Sequence, residues 1–194
     1  MNEDSLVSEA QKYVKSIFKE IVDGHDYKHS FRVYKNAITI ASSIEDCDLL
    51  IVSLGALLHD VDDHKLFKTK NNQNARFFLL SHNFNNEQTD KICEVINAVS
   101  FSQNRGLVPS TIEGKIVQDA DRLDAIRAIG IARTFAYSGT HGKPLIASVN
   151  HFHDKLLLLK ESMNTKKAQE IAESRHMFLE SFLNELNKET EGLI

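Results

Sequence analysis

A chain of 194 residues with 42% hydrophobic and 26% charged residues, 8 Gly and 2 Pro has the make-up of one globular domain, which excludes collagen-like and Pro-rich disordered chains. At this length roughly 70% of the unfolded surface is buried on folding, so a core needs no disulfides. The 23 basic against 27 acidic residues leave a net charge of −4, which argues against a general nucleic-acid coat.

Taken in order, the apolar residues recur at helical spacing almost throughout, and the expected fold is all-α with about 8–10 helices. Leu6, Ala10, Val14, Ile17 and Ile21 form one face of a first helix, with Ser5 or Asp4 as its cap and Gly24 as its stop. A second helix spans Tyr27 to Ser43, with Val33, Ala37, Ile40 and Ala41 inward. The third, from Cys47 or Asp48 to His59, is apolar nearly all round, which predicts a central position. Further helices are expected over 72–82, 87–100, 110–136, 148–162 and 166–189, with 106–109 and 136–147 as loops. No segment alternates with a period of two, and there is no repeat or linker. One domain over 1–194 is therefore expected, with the site-bearing core at about 20–160 and a C-terminal helix over 161–194 packed on it.

Cys47 and Cys93 show no CxxC spacing and read as buried free thiols in a reducing, cytoplasmic setting. Leu49 to Leu58, about ten residues, is half a membrane span. The N-terminus, Met1-Asn2-Glu3-Asp4, is acidic where a signal peptide is basic. No membrane partner is expected.

The 9 histidines are unevenly placed. His25 and His29 open the second helix, His59 and His64 bracket the end of the third, and His141, His151 and His153 lie late. Acids cluster at Asp60, Asp62 and Asp63, then at Asp119, Asp121 and Asp124. Asp60 follows an apolar run directly, and a carboxylate there is costly to bury unless it is paired or metal-bound. The competing reading is a C-terminal His capping helix carbonyls, with the Asp in a loop. His29 and Asp121 supply a third and a fourth donor from other helices. Two imidazoles and two carboxylates would leave two octahedral positions open, which suits Mn²⁺, Fe²⁺, Co²⁺ or Mg²⁺ better than structural zinc. A hydrolase needs such positions for a water and a phosphoryl oxygen.

His29, His59-Asp60 and Asp121 resemble the H…HD…D signature of the HD-domain superfamily of metal-dependent phosphohydrolases. Around them, His25 to Val33 is similar to GHD-x-x-H-x-x-RV, and Ala56 to Lys65 to ALLHD-x-x-D-x-K. Asp119 to Arg133 (DADRLDAIRAIGIAR) is similar to the third motif of a small, stand-alone bacterial branch. The resemblance implies an all-helical fold and hydrolysis of phosphomonoesters, phosphodiesters or pyrophosphates. Relatives in this branch hydrolyse nucleoside triphosphates, preferentially deoxy forms, releasing pyrophosphate with Mn²⁺ favoured. The expected cofactor is accordingly one divalent ion, Mn²⁺ first, with Mg²⁺, Fe²⁺, Co²⁺ or Ni²⁺ as alternatives. Its expected ligands are His29, His59, Asp60 and Asp121, and its water is the nucleophile.

Asp63, four residues past His59 if the helix continues, is the candidate general acid/base. Lys65 is the candidate partner of phosphate charge, with Arg32 and Lys143 as further substrate contacts. Lys143 lies in the Gly139 to Pro144 stretch, a candidate lid. His64 stands where relatives often carry an aromatic. Asp119 and Asp124 read as outer partners of the ligands, and Arg122 as a residue that orients an acid. His151-Phe152-His153-Asp154 imitates a metal motif but reads as an exposed helix start. Phe77, Phe78, Phe178 and Phe182 read as core. No HHExxDGxGYP sequence is present, which argues against a cyclic-dinucleotide esterase. The alternatives to a nucleotide pyrophosphohydrolase are a single-domain alarmone hydrolase and a non-catalytic metal- or nucleotide-binding module. The default assembly is a homodimer.

Overall fold

The computed structural model describes residues 2–19, 27–100, 104 and 106–190. Among these residues are nine α-helices, one 3-10 helix and no strand, as the periodicity predicts. The chain divides into two compact units, 1–121 and 122–194.

The first unit is built on helices α1 (Glu3–Ile17), α2 (Tyr27–Ala41), α3 (Leu49–Leu58), α4 (Gln73–Ser81) and α5 (Asn86–Val99), with most of α6 (Ile112–Asp124). α3 packs against α1, α2 and α5, in the central place its sequence predicts. Seven of its ten residues are buried, and Asp48 starts it by accepting the Leu50 and Ile51 amides. Gly55 permits the close approach of α5, because a Cβ there would stand 2.7 Å from Val95 Cγ1. Leu6, Ala10, Val14 and Phe18 join Leu54, Leu57 and Leu58 in one apolar cluster with Phe78, Leu79 and Ile92.

The second unit holds the end of α6, α7 (Ala128–Thr140), α8 (Leu145–Asp154), a 3-10 helix (Leu156–Ser162) and α9 (Lys166–Glu189). Phe135, Phe152 and Phe182 make its aromatic centre, with ring centroids 5.8–6.1 Å apart.

Several expectations need correction. Asn2, not Ser5 or Asp4, caps α1, its side chain accepting the Ser5 amide. The expected stop at Gly24 lies outside the described residues. The helix expected over 110–136 is two helices, broken at 125–127, where Arg127 has φ 78° and a Cβ on Gly130 would meet the Ala125 carbonyl oxygen at 2.1 Å. The loop expected over 136–147 shrinks to 141–144. α7 runs on to Thr140 and ends in a Schellman turn, with Gly142 at φ 61° and Lys143 N–H donating to the Ser138 carbonyl. The helix expected over 148–162 is α8 followed by the 3-10 helix. Cys47 precedes α3 outside any helix and is half-buried; Cys93 is buried on α5, and both thiols are free. Phe78 and Phe182 turn inward, whereas Phe77 and Phe178 are 67% and 46% exposed. No helix among the described residues is long and apolar enough to cross a membrane.

Candidate metal centre

The site lies wholly in the first unit. On α2 the buried stripe is His29, Val33, Ala37 and Ala41, so the helical period that fills the core with apolar groups also turns one imidazole inward. α3 ends at Leu58, which leaves His59 as its C-cap and Asp60 at the start of the following turn. α6 brings Asp121 beside α2, where Asn36 Nδ2 donates to the Ala120 carbonyl at 3.2 Å.

The four side chains converge. His29 Nε2 is 3.4 Å from Asp60 Oδ2 and 3.3 Å from Asp121 Oδ1. His59 Nε2 is 3.3 Å from Asp60 Oδ1, 3.9 Å from Asp121 Oδ1 and 3.3 Å from His29 Nε2. One ligand atom from each of His29, His59 and Asp121 falls within 4.8 Å of the others. The imidazoles are buried, whereas the Asp60 and Asp121 side chains are 16% and 25% exposed, so the cluster is deep on the histidine side and open on the carboxylate side.

Hydrogen bonding sets one tautomer. His59 Nδ1 lies 2.8 Å from the Ala56 carbonyl, which only accepts, so the proton sits on Nδ1 and the neutral ring turns its Nε2 lone pair into the cluster. Two carboxylates beside two imidazole nitrogens attract positive charge. Burial works against a charged His59, yet the charge and hydrogen bond of Asp60, then Asp121 and the Ala56 carbonyl, outweigh it and push the imidazole up to about 9. Burial likewise opposes ionisation of Asp121, but the hydrogen bond and charge of His29, and then the charge of His59, hold its carboxyl below the ordinary range. A donor set of two nitrogens and two oxygens on one side, with solvent on the other, fits a divalent cation with free positions.

A profile described as the HD domain matches residues 26–126. The chain belongs to the HD domain family. YpgQ of Bacillus subtilis (strain 168) is 39% identical over 201 residues, spanning 100% of this chain and 98% of that protein. Its crystal structure superposes with a TM-score of 0.85 at 35% identity over 100% of each chain. A second YpgQ crystal structure, in complex with ADP, gives 0.80 at 35% identity over 97% of each chain. An HD-superfamily hydrolase of Bacillus thuringiensis gives 0.80 at 36% identity, over 98% of this chain and 99% of that one. The family is thus one of hydrolases, and HD domains bind divalent metals.

The remaining sequence candidates fall in varied surroundings. α3 does not continue past Leu58, so the helical spacing from His59 to Asp63 does not hold. The Asp63 Oδ1 accepts the Lys65 N–H at 2.8 Å, closing a tight turn. Lys65 and His64 are exposed on that turn, and Arg32 is half-buried on α2, one turn past His29. Lys143 belongs to the second unit, where its Nζ lies 4.8 Å from the Tyr137 ring centroid. His25 and Asp26 lie outside the described residues. Asp119 is fully buried on α6. In the second unit Asp124 pairs with Arg133 Nη1 at 2.8 Å, and Arg122 donates to the Ser162 carbonyl. His151 to Asp154 form the end of α8, not a helix start, with Phe152 buried and both histidines exposed.

Sequence reasoning passed over three contributors: the Ala56 carbonyl, Asn36 and Asn74. The first was legible, because a His three residues past a carbonyl at a helix end can reach it. The other two bond across 84 and 13 residues, which no local spacing reveals.

Proposed function

We propose that this HD hydrolase is a metal-dependent phosphohydrolase acting on nucleotides, a (deoxy)nucleoside triphosphate pyrophosphohydrolase in the first instance. The observation that carries the reading is the close set of His29, His59 and Asp121 ligand atoms, with Asp60 against both imidazoles and both carboxylates part-exposed. A nucleotide substrate is supported by the ADP complex of the similar YpgQ. A divalent ion, Mn²⁺ first, would lower the pKa of a water and polarise a phosphoryl oxygen.

The residues then divide the remaining work. The Ala56 carbonyl holds the His59 Nδ1 proton, so that Nε2 faces inward as a donor. Asp60 reaches both imidazoles, one with each oxygen. Asp63 has Oδ1 committed to the Lys65 amide, and Oδ2 exchanges the proton between the attacking water and the leaving group. Lys65, exposed on the same turn, offsets the charge gathering on the phosphoryl oxygens, with Arg32 as a second cation.

The test is a release assay over dNTPs, NTPs and nucleoside diphosphates with Mn²⁺, resolving pyrophosphate from phosphate. Pyrophosphate from dNTPs is the expected product. A protein that holds stoichiometric metal and hydrolyses none of these overturns the reading in favour of a binding module.

A further inference from the structure

The turn carrying Asp60 is held from outside the metal centre. Both carboxylate oxygens of Asp62 are engaged: Oδ1 accepts the Asn74 N–H at 2.9 Å and Oδ2 the Ala75 N–H at 3.0 Å. These amides belong to the first turn of α4, whose own N-cap, Asn72, makes no side-chain capping bond. The Asn74 side chain returns the contact, its Nδ2 donating to the Val61 carbonyl at 2.7 Å. Tyr13 on α1 then donates its Oη proton to the Asn74 carbonyl at 2.9 Å. The Val61 side chain itself is fully buried.

Each link has a physical reason. The first amides of a helix have no partner within it, and the helix dipole makes that end attractive to a carboxylate. Such charge-assisted bonds are roughly twice as strong as neutral ones. For α4 to meet Asp62 the chain must reverse after residue 70, and Asn71 and Asn72 do so with φ of 53° and 55°. Asparagine is among the few residues that take this left-handed conformation readily. A cap supplied locally would stabilise α4 alone. One supplied from twelve residues upstream also ties α4 to the turn between Asp60 and Asp63.

That turn must be placed closely. The Asp60 carboxylate reaches His29 with one oxygen and His59 with the other, at 3.4 and 3.3 Å. A ligand in such a bridging position tolerates only about 0.5 Å or 10–20° of misplacement. Val61 and Asp62, the next two residues, are fixed by one buried side chain and three hydrogen bonds to α4.

We propose that Asp62 is a positioning residue, which, braced by Asn74 and Ala75, sets the Asp60 carboxylate between the two imidazoles. This rests on the metal reading of the site. The experiment is a Mn²⁺ titration of wild type, Asp62→Ala, Asp62→Asn, Asn74→Ala and Arg76→Ala, with the thermal midpoint of each. Asp62→Ala is expected to weaken Mn²⁺ binding about 10–100-fold, as loss of an outer partner of a ligand does. Asp62→Asn, keeping one acceptor oxygen, falls between it and wild type. Asn74→Ala also weakens binding, and a chain carrying both Asp62→Ala and Asn74→Ala, titrated alongside, loses less than the two singles combined, because both act on one turn. Arg76→Ala, at the same first turn of α4, is the control: it removes bonds to the Asn71 carbonyl and to Asp90 of α5, so it lowers stability and leaves Mn²⁺ affinity unchanged.

Wild-type affinity in both Asp62 variants overturns the brace, and so does an equal loss in Arg76→Ala. If Asp62→Ala does not fold, Asp62→Asn and Asn74→Ala decide the matter in the same titration. A wild-type protein that binds no divalent ion sinks the metal reading, and the brace with it. Binding by wild type and equal binding by the Asp62 variants sink the brace alone.

Discussion

The Nε2 atoms of His29 and His59 stand 3.3 Å apart, with their rings at 72° to each other. In the neutral His59 that nitrogen carries a lone pair, because its proton is on Nδ1 facing the Ala56 carbonyl. A nitrogen lone pair held this close to a second imidazole and two carboxylates gains from a cation, either a proton or a metal.

Metal binding should fail when any one of four donors is removed. His29→Ala, His59→Ala, Asp60→Ala and Asp121→Ala are each expected to abolish stoichiometric Mn²⁺, measured by metal analysis and titration. Asp119→Ala, on the same helix as Asp121 and fully buried, should cost about 10–100-fold. If Asp119→Ala strips the metal while Asp121→Ala leaves it, the two acids exchange roles.

Protons should compete with the metal in a defined window. His59 is pushed from its ordinary 6.5 up to about 9, so the metal-free protein carries a proton there at neutral pH. Binding then releases that proton, and affinity rises with pH until about 9. Calorimetry in two buffers of different ionisation enthalpy measures the release. The same shift sets the stability of the metal-free protein. A group whose pKa is raised on folding contributes stability fully below the unfolded 6.5 and loses it as pH rises through about 9. The midpoint of the metal-free protein should therefore fall across that window, and His59→Asn should remove the fall.

Lys65 is exposed, so its charge and its fold contribution can be separated. Lys65→Ala should lose roughly 10²–10³-fold in hydrolysis, the scale of one charge-stabilising contact, while Lys65→Arg keeps part of the rate. Neither should move the thermal midpoint, because an exposed side chain adds little to folding. Wild-type hydrolysis by Lys65→Ala would place the phosphate partner elsewhere, at Arg32 first.

Gly55 tests the packing that carries the site. A Cβ there meets Val95 Cγ1 at 2.7 Å, so Gly55→Ala must push α3 and α5 apart. The expected cost is about 1–3 kcal/mol by chemical denaturation. Adding Val95→Ala removes the obstructing methyl groups and should return part of that stability. If the single variant is as stable as wild type, the close approach of α3 and α5 is not tight.

Much of this was legible because it is local. The all-α class follows from apolar spacing, and α9 keeps its expected bounds, its start fixed by Thr165, whose side chain accepts the Ala168 amide. His59-Asp60 could be singled out because a carboxylate after Leu57-Leu58 conflicts with the pattern around it. His29 and Asp121 follow as further donors on neighbouring helices, and the motif resemblance names the same four residues. What could not be read were features set by groups distant in sequence. The apolar pattern runs unbroken from Leu123 through Ile126 to Ile129, yet α6 stops. There the Leu123 carbonyl finds Arg175 of α9, and Gly130 packs against the Ala125 carbonyl. Similarly, the third helix ends at His59 as its pattern predicts, so Asp63 has no helical spacing to His59, but nothing local reveals that Asp62 gives its oxygens to α4 twelve and thirteen residues on. Helical period and residue type determine which residues are buried and which donors exist. Where those donors point depends on backbone carbonyls and amides left open at helix ends, and only the packed chain decides which distant groups satisfy them.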